Sequence, residues 1–153
     1  MGSLYLDSSA VVKYYIAETG STWVQQIVDD RENTVTVSQL TAVEVAAAVE
    51  RRRRAKEISQ RHRVRTLARL GIDFRQRYTI AQVSDPIVEL AVELTGRHPL
   101  RAYDAVQLAT ALELNQILRG NRLPPLTFIS ADKALCDAAR AAGLRAEDPN
   151  DHP

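Results

Sequence analysis

Short apolar runs that end on small polar or acidic residues and pass straight into helical periodicity are the feature that most limits what this chain can become. The first is SLYLDSSAVVKYY, residues 3–15: Leu4 to Leu6 reads as a strand, Asp7-Ser8-Ser9 bounds it, and Val11, Val12, Tyr15 and Ile16 recur at helical spacing. Gly20-Ser21 breaks that helix, and a second, Thr22 to Asp30, presents Trp23, Ile27 and Val28 as its buried side. Thr34 to Val37 is a β-branched second strand, after which Ser38 can cap a long helix running from Gln39 into an arginine run. A further helix carries Ile58, Val64, Leu67 and Leu70, with Gly71 ending or interrupting it.

The pattern repeats in the second half. Tyr78 to Val83 predicts a third strand, and Ser84-Asp85-Pro86 starts a helix with Asp85 as its capping residue and Pro86 in the first turn. That helix ends near Gly96, His98-Pro99 marks a loop, and Arg101 to Leu118 forms another helix. Leu126 to Ile129 is a fourth strand, Asp132 to Ala142 a helix stopped by Gly143, and Leu144 to Ala146 a last short strand. Strands alternating with helices require right-handed crossovers, hence an α/β fold: a central parallel sheet of four to five strands covered by helices on both faces. Residues 1–153 fit one domain, with no internal repeat, linker or low-complexity segment. In such open sheets ligands gather at the carboxyl ends of the strands. Asp7 lies at one such end and Asp132, just after LTFIS, at another.

No apolar run approaches the roughly 20 residues of a membrane span, and nothing resembles a cleavable leader. One cysteine, Cys136, excludes an internal disulfide and a cysteine-rich zinc site and fits a reducing cytoplasm. The net charge of +1 hides a division. Between Arg51 and Arg77 ten Arg and one Lys face only Glu57 and Asp73, whereas the remainder holds 9 basic and 17 acidic residues. A block of this kind is either a solvated helix face or a surface for phosphates. Arg51, Arg52, Arg53 and Arg54 are its densest part.

Two more acids sit where a helix ordinarily places an apolar residue. Glu44 has Leu40 and Ala48 one turn before and after it, and Asp104 shares its face with Leu108 and Ala111. Each acid also has a structural reading. Asp7 and Asp132 can cap the helices that follow, Thr41 to Glu44 matches the T-x-x-E capping box, and Asp104 can favour a helix dipole. Caps alone do not explain acids on apolar stripes, which are costly to bury without compensation. Carboxylates brought to about 5 Å repel by roughly 3 kcal/mol per pair at an effective dielectric near 20, so protons or a divalent cation must neutralise them. Oxygen donors without histidine or thiolate favour Mg²⁺ or Mn²⁺ over zinc, and His62, His98 and His152 show no metal-ligand spacing. No glycine-rich phosphate loop is present, and DSSAV lacks the second acid of a haloacid-dehalogenase-type phosphatase.

Taken in order, YLDSSAVVKYYIAETGS, SQLTAVEVAAAV, LRAYDAVQLATAL and FISADKALCDAA resemble the four acidic motifs of PIN-domain proteins, with the likeness to VapC toxins of type II toxin–antitoxin modules covering Leu4 to about Gly143. The resemblance implies a PIN-like three-layer fold and an acidic site made of Asp7, Glu44, Asp104 and Asp132, with Asp7 and Asp104 as the principal Mg²⁺ ligands. Ser130 stands where the family often has Thr or Ser, and would orient a carboxylate or a water; here the family's T-x-D reads Ser130-Ala131-Asp132. Also implied are hydrolysis of RNA to a 5′-phosphate and a 3′-hydroxyl, a cognate VapB-like antitoxin and a homodimer. The arginine block is no family signature. Two other readings stand beside this one: a PIN fold kept as a non-catalytic nucleic-acid or protein-binding module, and a PIN nuclease outside any toxin module.

Overall fold

The structure of the chain, a computed structural model, describes residues 2–153. Strands β1 (Gly2–Leu6), β2 (Asn33–Ser38), β3 (Thr79–Ala81), β4 (Leu126–Ile129) and β5 (Arg145–Glu147) form one sheet in the order β3-β2-β1-β4-β5, all pairs parallel. The crossovers are helical. Helices α1 (Ser8–Tyr15) and α2 (Ser21–Asp29) join β1 to β2, and α3 (Thr41–Arg54) and α4 (Gln60–Gln76) join β2 to β3. Helices α5 (Asp85–Arg97) and α6 (Ala102–Gly120) return the chain to β4, and α7 (Lys133–Ala141) leads to β5.

The pleat divides the core in two. Leu4 and Leu6 of β1 pack with Val35, Val37 and Ile129 under α1 to α4, where Val11, Val24, Val45 and Leu70 complete the cluster. Tyr5 points the other way and joins Phe128, Leu94, Leu108 and Leu135 under α5, α6 and α7. The Tyr5 and Phe128 rings stack with centroids 5.7 Å apart and planes at 11°. Each fully buried side chain of this size contributes about 1.5–3 kcal/mol by leaving water.

Strand order also decides where a site can form. The chain builds outward from β1 to β3, then crosses back to add β4 and β5 on the other side of β1. Crossovers therefore leave β1 and β4 in opposite directions, and a crevice opens at their carboxyl ends.

Several local expectations change. Helix α4 runs through Gly71 to Gln76, because Arg69 and Asp73 pair across it at 3.1 Å and Leu70 anchors the turn in the core. A glycine there costs about 1 kcal/mol of propensity, which that anchoring offsets. Val64 of α4 faces outward at 52% exposure. Ser38 is not the cap of α3: its hydroxyl accepts from Leu40 N at 3.2 Å, and the helix begins at Thr41. Ser84, with no side-chain cap bond, is the N-cap of α5, and Asp85 is its first helical residue. In α2 the deepest residues are Val24 and Val28, while Trp23 is half-buried and stacks on His152 at 4.1 Å. Gly20 is glycine for a reason: φ is +81° and an added Cβ would lie 2.2 Å from Pro149 O. No helix among the described residues is long and apolar enough to cross a membrane.

Candidate active site

A cleft of about 490 Å³ opens at the β1/β4 crevice and is lined by Asp7, Glu44, Asp104 and Asp132, one acid from each of the four motifs. Val12, Val43 and Ala47 give it an apolar wall, and Arg51, Arg101 and Tyr103 stand at it. The acids reach it by different routes.

Asp7 directly follows β1 and is the N-cap of α1, its Oδ1 accepting from Ala10 N at 3.0 Å and from Ser9 Oγ at 2.7 Å. Its Oδ2 accepts from Ser130 Oγ at 2.8 Å. Asp7 is 3% exposed, and burial pushes its carboxyl up to about 6 despite those three donors; the neighbouring Glu44 pushes the same way. Ser130, fully buried at the end of β4, also accepts from Asp132 N at 3.1 Å, so one hydroxyl spans two of the acids. Asp132 caps α7 through Oδ1 to Leu135 N at 3.1 Å, leaving Oδ2 with no protein donor among the described residues.

Glu44 departs from expectation. Thr41 lies inside α3 rather than at its cap, so no capping box forms. The Glu44 oxygens instead leave their own helix: Oε2 accepts from Ser8 Oγ at 2.8 Å and Oε1 from Gln107 Nε2 at 2.6 Å. Asp104 sits in the first turn of α6, and its Oδ2 meets Arg101 Nε at 3.3 Å. Among the described residues no three carboxylate, imidazole or thiol groups are drawn tightly enough to hold a metal ion as they stand. The acids share a cleft, and each is held by protein donors. Sequence reasoning passed over Ser8, Ser9, Arg101 and Gln107. Gln107 had a visible signal, a polar side chain on an apolar stripe three residues after Asp104.

The arginine block is only partly free. Arg52 pairs with Glu18 at 2.6 Å, Arg53 and Arg63 pair with Glu50, and Arg69 and Arg77 pair with the buried Asp73. Among the described residues Arg51, Arg54, Lys56, Arg61, Arg65 and Arg75 have no acidic partner. Of the Arg51–Arg54 run, Arg51 alone lines the acidic cleft, and with Arg52 it lines an adjoining groove that shares Ser9, Val12 and Ala48. The lone thiol of Cys136 is buried, donates to Ser130 O at 3.2 Å, and is raised by burial to about 12.

The chain belongs to the PIN-domain family, whose sequence model matches residues 4–141. Among curated relatives, Ribonuclease VapC45 of Mycobacterium tuberculosis is 30% identical over 145 residues, spanning 95% of this chain and 94% of the relative. Solved structures share the fold, and two of them serve as examples. One is the VapBC2 complex of Rickettsia felis bound to a DNA fragment from its promoter, at a TM-score of 0.63 and 15% identity, covering 95% of this chain and 98% of that one. The other is VapC20 of Mycobacterium tuberculosis, a toxin that cleaves the sarcin-ricin loop, at 0.62 and 17% identity, covering 92% and 95%. The PIN-like three-layer fold expected from the sequence is the fold found.

Proposed function

We propose that this chain is a metal-dependent endoribonuclease serving as the toxin of a VapBC-type module, with Asp7, Glu44, Asp104, Asp132 and Ser130 as its site. One observation carries the reading: four acids from four separate elements line one cleft at the point where the sheet's connections diverge. Its similarity to a named VapC ribonuclease supports the same activity.

The donor set suits a hard divalent cation. Every ligating atom on offer is oxygen, no imidazole or thiolate lines the cleft, and the buried Asp7 carboxyl, raised to about 6, has a charge that its own donors do not fully offset. Asp7 and Asp104 would hold the ion, Mg²⁺ or Mn²⁺. Bound there, the ion would polarise the phosphodiester and increase the acidity of a water. Ser130 fixes Asp7 by its hydrogen bond and keeps Asp132 in place through the backbone. Asp132, with Oδ2 free of protein donors, takes the proton of the attacking water. Glu44 orients that water. The water oxygen bonds to phosphorus as the P–O3′ bond breaks, and the 3′-oxygen takes up a proton, giving a 5′-phosphate and a 3′-hydroxyl.

A VapB-like antitoxin would silence such a cleft by inserting an Arg or Lys among its acids, and the active unit would be a homodimer. The deciding assay is cleavage of a mixed RNA pool with Mg²⁺, Mn²⁺ or EDTA. Cuts that need metal support the enzyme. No cleavage together with no metal binding means a non-catalytic PIN module, and metal-dependent cleavage of DNA alone means a nuclease of another kind.

Arg51 gives a smaller test. It lines the cleft and has no acidic partner among the described residues, so Arg51→Gln should weaken RNA binding and flatten its salt dependence by about 0.7 in the log–log slope. Stability should stay within about 0.5 kcal/mol. An unchanged salt slope removes Arg51 from the RNA path.

A further inference from the structure

We infer that Gln107 is a positioning residue for Glu44, its amide oriented from beneath by the Tyr5 hydroxyl, an inference that rests on the nuclease reading above. Helix α6 carries Asp104 and Gln107 three residues apart, hence on one face, so the element that delivers an acid to the cleft also delivers this amide one turn deeper. Gln107 is 2% exposed. Its Nε2 donates to Glu44 Oε1 at 2.6 Å and lies 3.2 Å from Thr41 Oγ1, while its Oε1 accepts from Tyr5 OH at 2.7 Å.

The two ends of the amide are fixed by their neighbours. A carboxylate oxygen accepts, so the amide nitrogen must face Glu44, and the amide oxygen is left to Tyr5. An amide oxygen only accepts, so the Tyr5 hydroxyl 2.7 Å from it is the donor of that bond. With Ser8 Oγ on Oε2 at 2.8 Å, both Glu44 oxygens are held from the protein side. Rotating Glu44 away would take the carboxylate acceptor from a buried amide N–H. Turning the amide over would set its oxygen against that carboxylate and its NH₂ against the Tyr5 hydroxyl, and each change comes at the cost of mismatched buried polar groups. No other uncharged side chain of that length supplies a donor at one end and an acceptor at the other. Leucine of similar size would leave both Glu44 Oε1 and Tyr5 OH unmatched.

A merely structural Gln107 would serve Tyr5 and the core, and its loss would act independently of Glu44. A double-mutant cycle separates the two. RNA cleavage is measured for the wild type, Gln107→Leu, Glu44→Gln and the double variant, with Tm by circular dichroism. Gln107→Leu is expected to lower kcat about 10- to 100-fold with KM within about twofold, the size of effect seen when groups supporting a site's ligands are removed. Gln107→His, which restores a donor, should recover part of it. In the Glu44→Gln background, Gln107→Leu should then change kcat by less than about twofold. The same loss in both backgrounds, or a loss of Tm alone, overturns the inference.

A second measurement needs no activity. In metal-free ¹⁵N-labelled protein the Gln107 side-chain NH₂ pair, identified by its absence in Gln107→Leu, should move in both Glu44→Gln and Tyr5→Phe. A pair unmoved by either variant overturns the positioning. A wild type that cleaves no RNA defeats the nuclease reading instead, and the spectrum then decides whether Gln107 holds Glu44.

Discussion

Asp104→Asn is expected to abolish metal-dependent RNA cleavage, by at least about 100-fold, in a protein that remains folded. The two halves of that expectation have different causes. Asp104 is 21% exposed, and its partner is the Arg101 side chain at 3.3 Å, itself 87% exposed. Pairs so open to solvent contribute less than about 1 kcal/mol, so the substitution leaves the fold intact. Its Oδ1 accepts from no protein donor among the described residues, and the residue lines the cleft shared with Asp7, Glu44 and Asp132. Asparagine keeps the shape and loses the charge, which a divalent cation held there as proposed would need from its ligands. Cleavage of a mixed RNA pool by both proteins, with Mg²⁺ or EDTA, measures the loss, and circular dichroism checks the fold. Calorimetry should show weaker Mg²⁺ binding in step with the lost activity. Equal, metal-dependent turnover in both proteins would place the chemistry outside this cleft.

The sequence displayed the fold well because periodicity is a local signal. Leu126 to Ile129 reads as a strand by its residues alone, and it is β4. Parallel pairing and helical crossovers then follow from the alternation of elements. Legibility fails where a neighbour outweighs a propensity. Gly71 looks like a stop, yet the Arg69–Asp73 pair and the buried Leu70 carry α4 past it. Val64 keeps helical spacing with Leu67 and Leu70, but nothing packs over its side of α4, and it stays exposed. The strand order, with β4 beside β1, is a long-range fact that no short window contains.

The cleft was legible as a set of acids and not as a set of contacts. Asp7 and Asp132 announced themselves at strand ends, and in the structure both cap helices while lining the cleft. For these two, capping a helix and lining the cleft are compatible in one arrangement. For Glu44 the sequence suggested a capping box, but the deciding partners, Ser8 and Gln107, lie 36 and 63 residues away and belong to other elements. The arginine block showed its charge and concealed part of its neutralisation: Arg69–Asp73 and Arg53–Glu50 are neighbours one helical turn apart, whereas Glu18 reaches Arg52 and Glu50 reaches Arg63 only after folding.

Asp7→Asn should stabilise the metal-free protein at alkaline pH and do little for it in acid. The Asp7 carboxyl titrates near 6 in the folded chain, chiefly because it is buried, against about 3.9 when unfolded. The folded state therefore holds this proton more tightly than the unfolded state, and stability falls as pH rises from about 4 to 6. Above that range the full penalty is present, about 3 kcal/mol for the gap between the two values. Below about 4 the carboxyl is neutral in both states and carries none. Asparagine removes the charge and can still accept from Ala10 N, although its amide nitrogen meets Ser130 Oγ less well than a carboxylate oxygen does. A net gain on the order of 1–2 kcal/mol remains, or roughly 3–8 °C in Tm at pH 8 for a chain of this size. Thermal unfolding of both proteins in EDTA at pH 4 and pH 8 measures it. Mg²⁺ at pH 8 should raise the Tm of the wild type, since a ligand that binds the folded state alone stabilises it, and should leave Asp7→Asn nearly unmoved. A variant destabilised equally at both pH values would make Asp7 a helix cap and no more, and the cleft would lose its buried ligand.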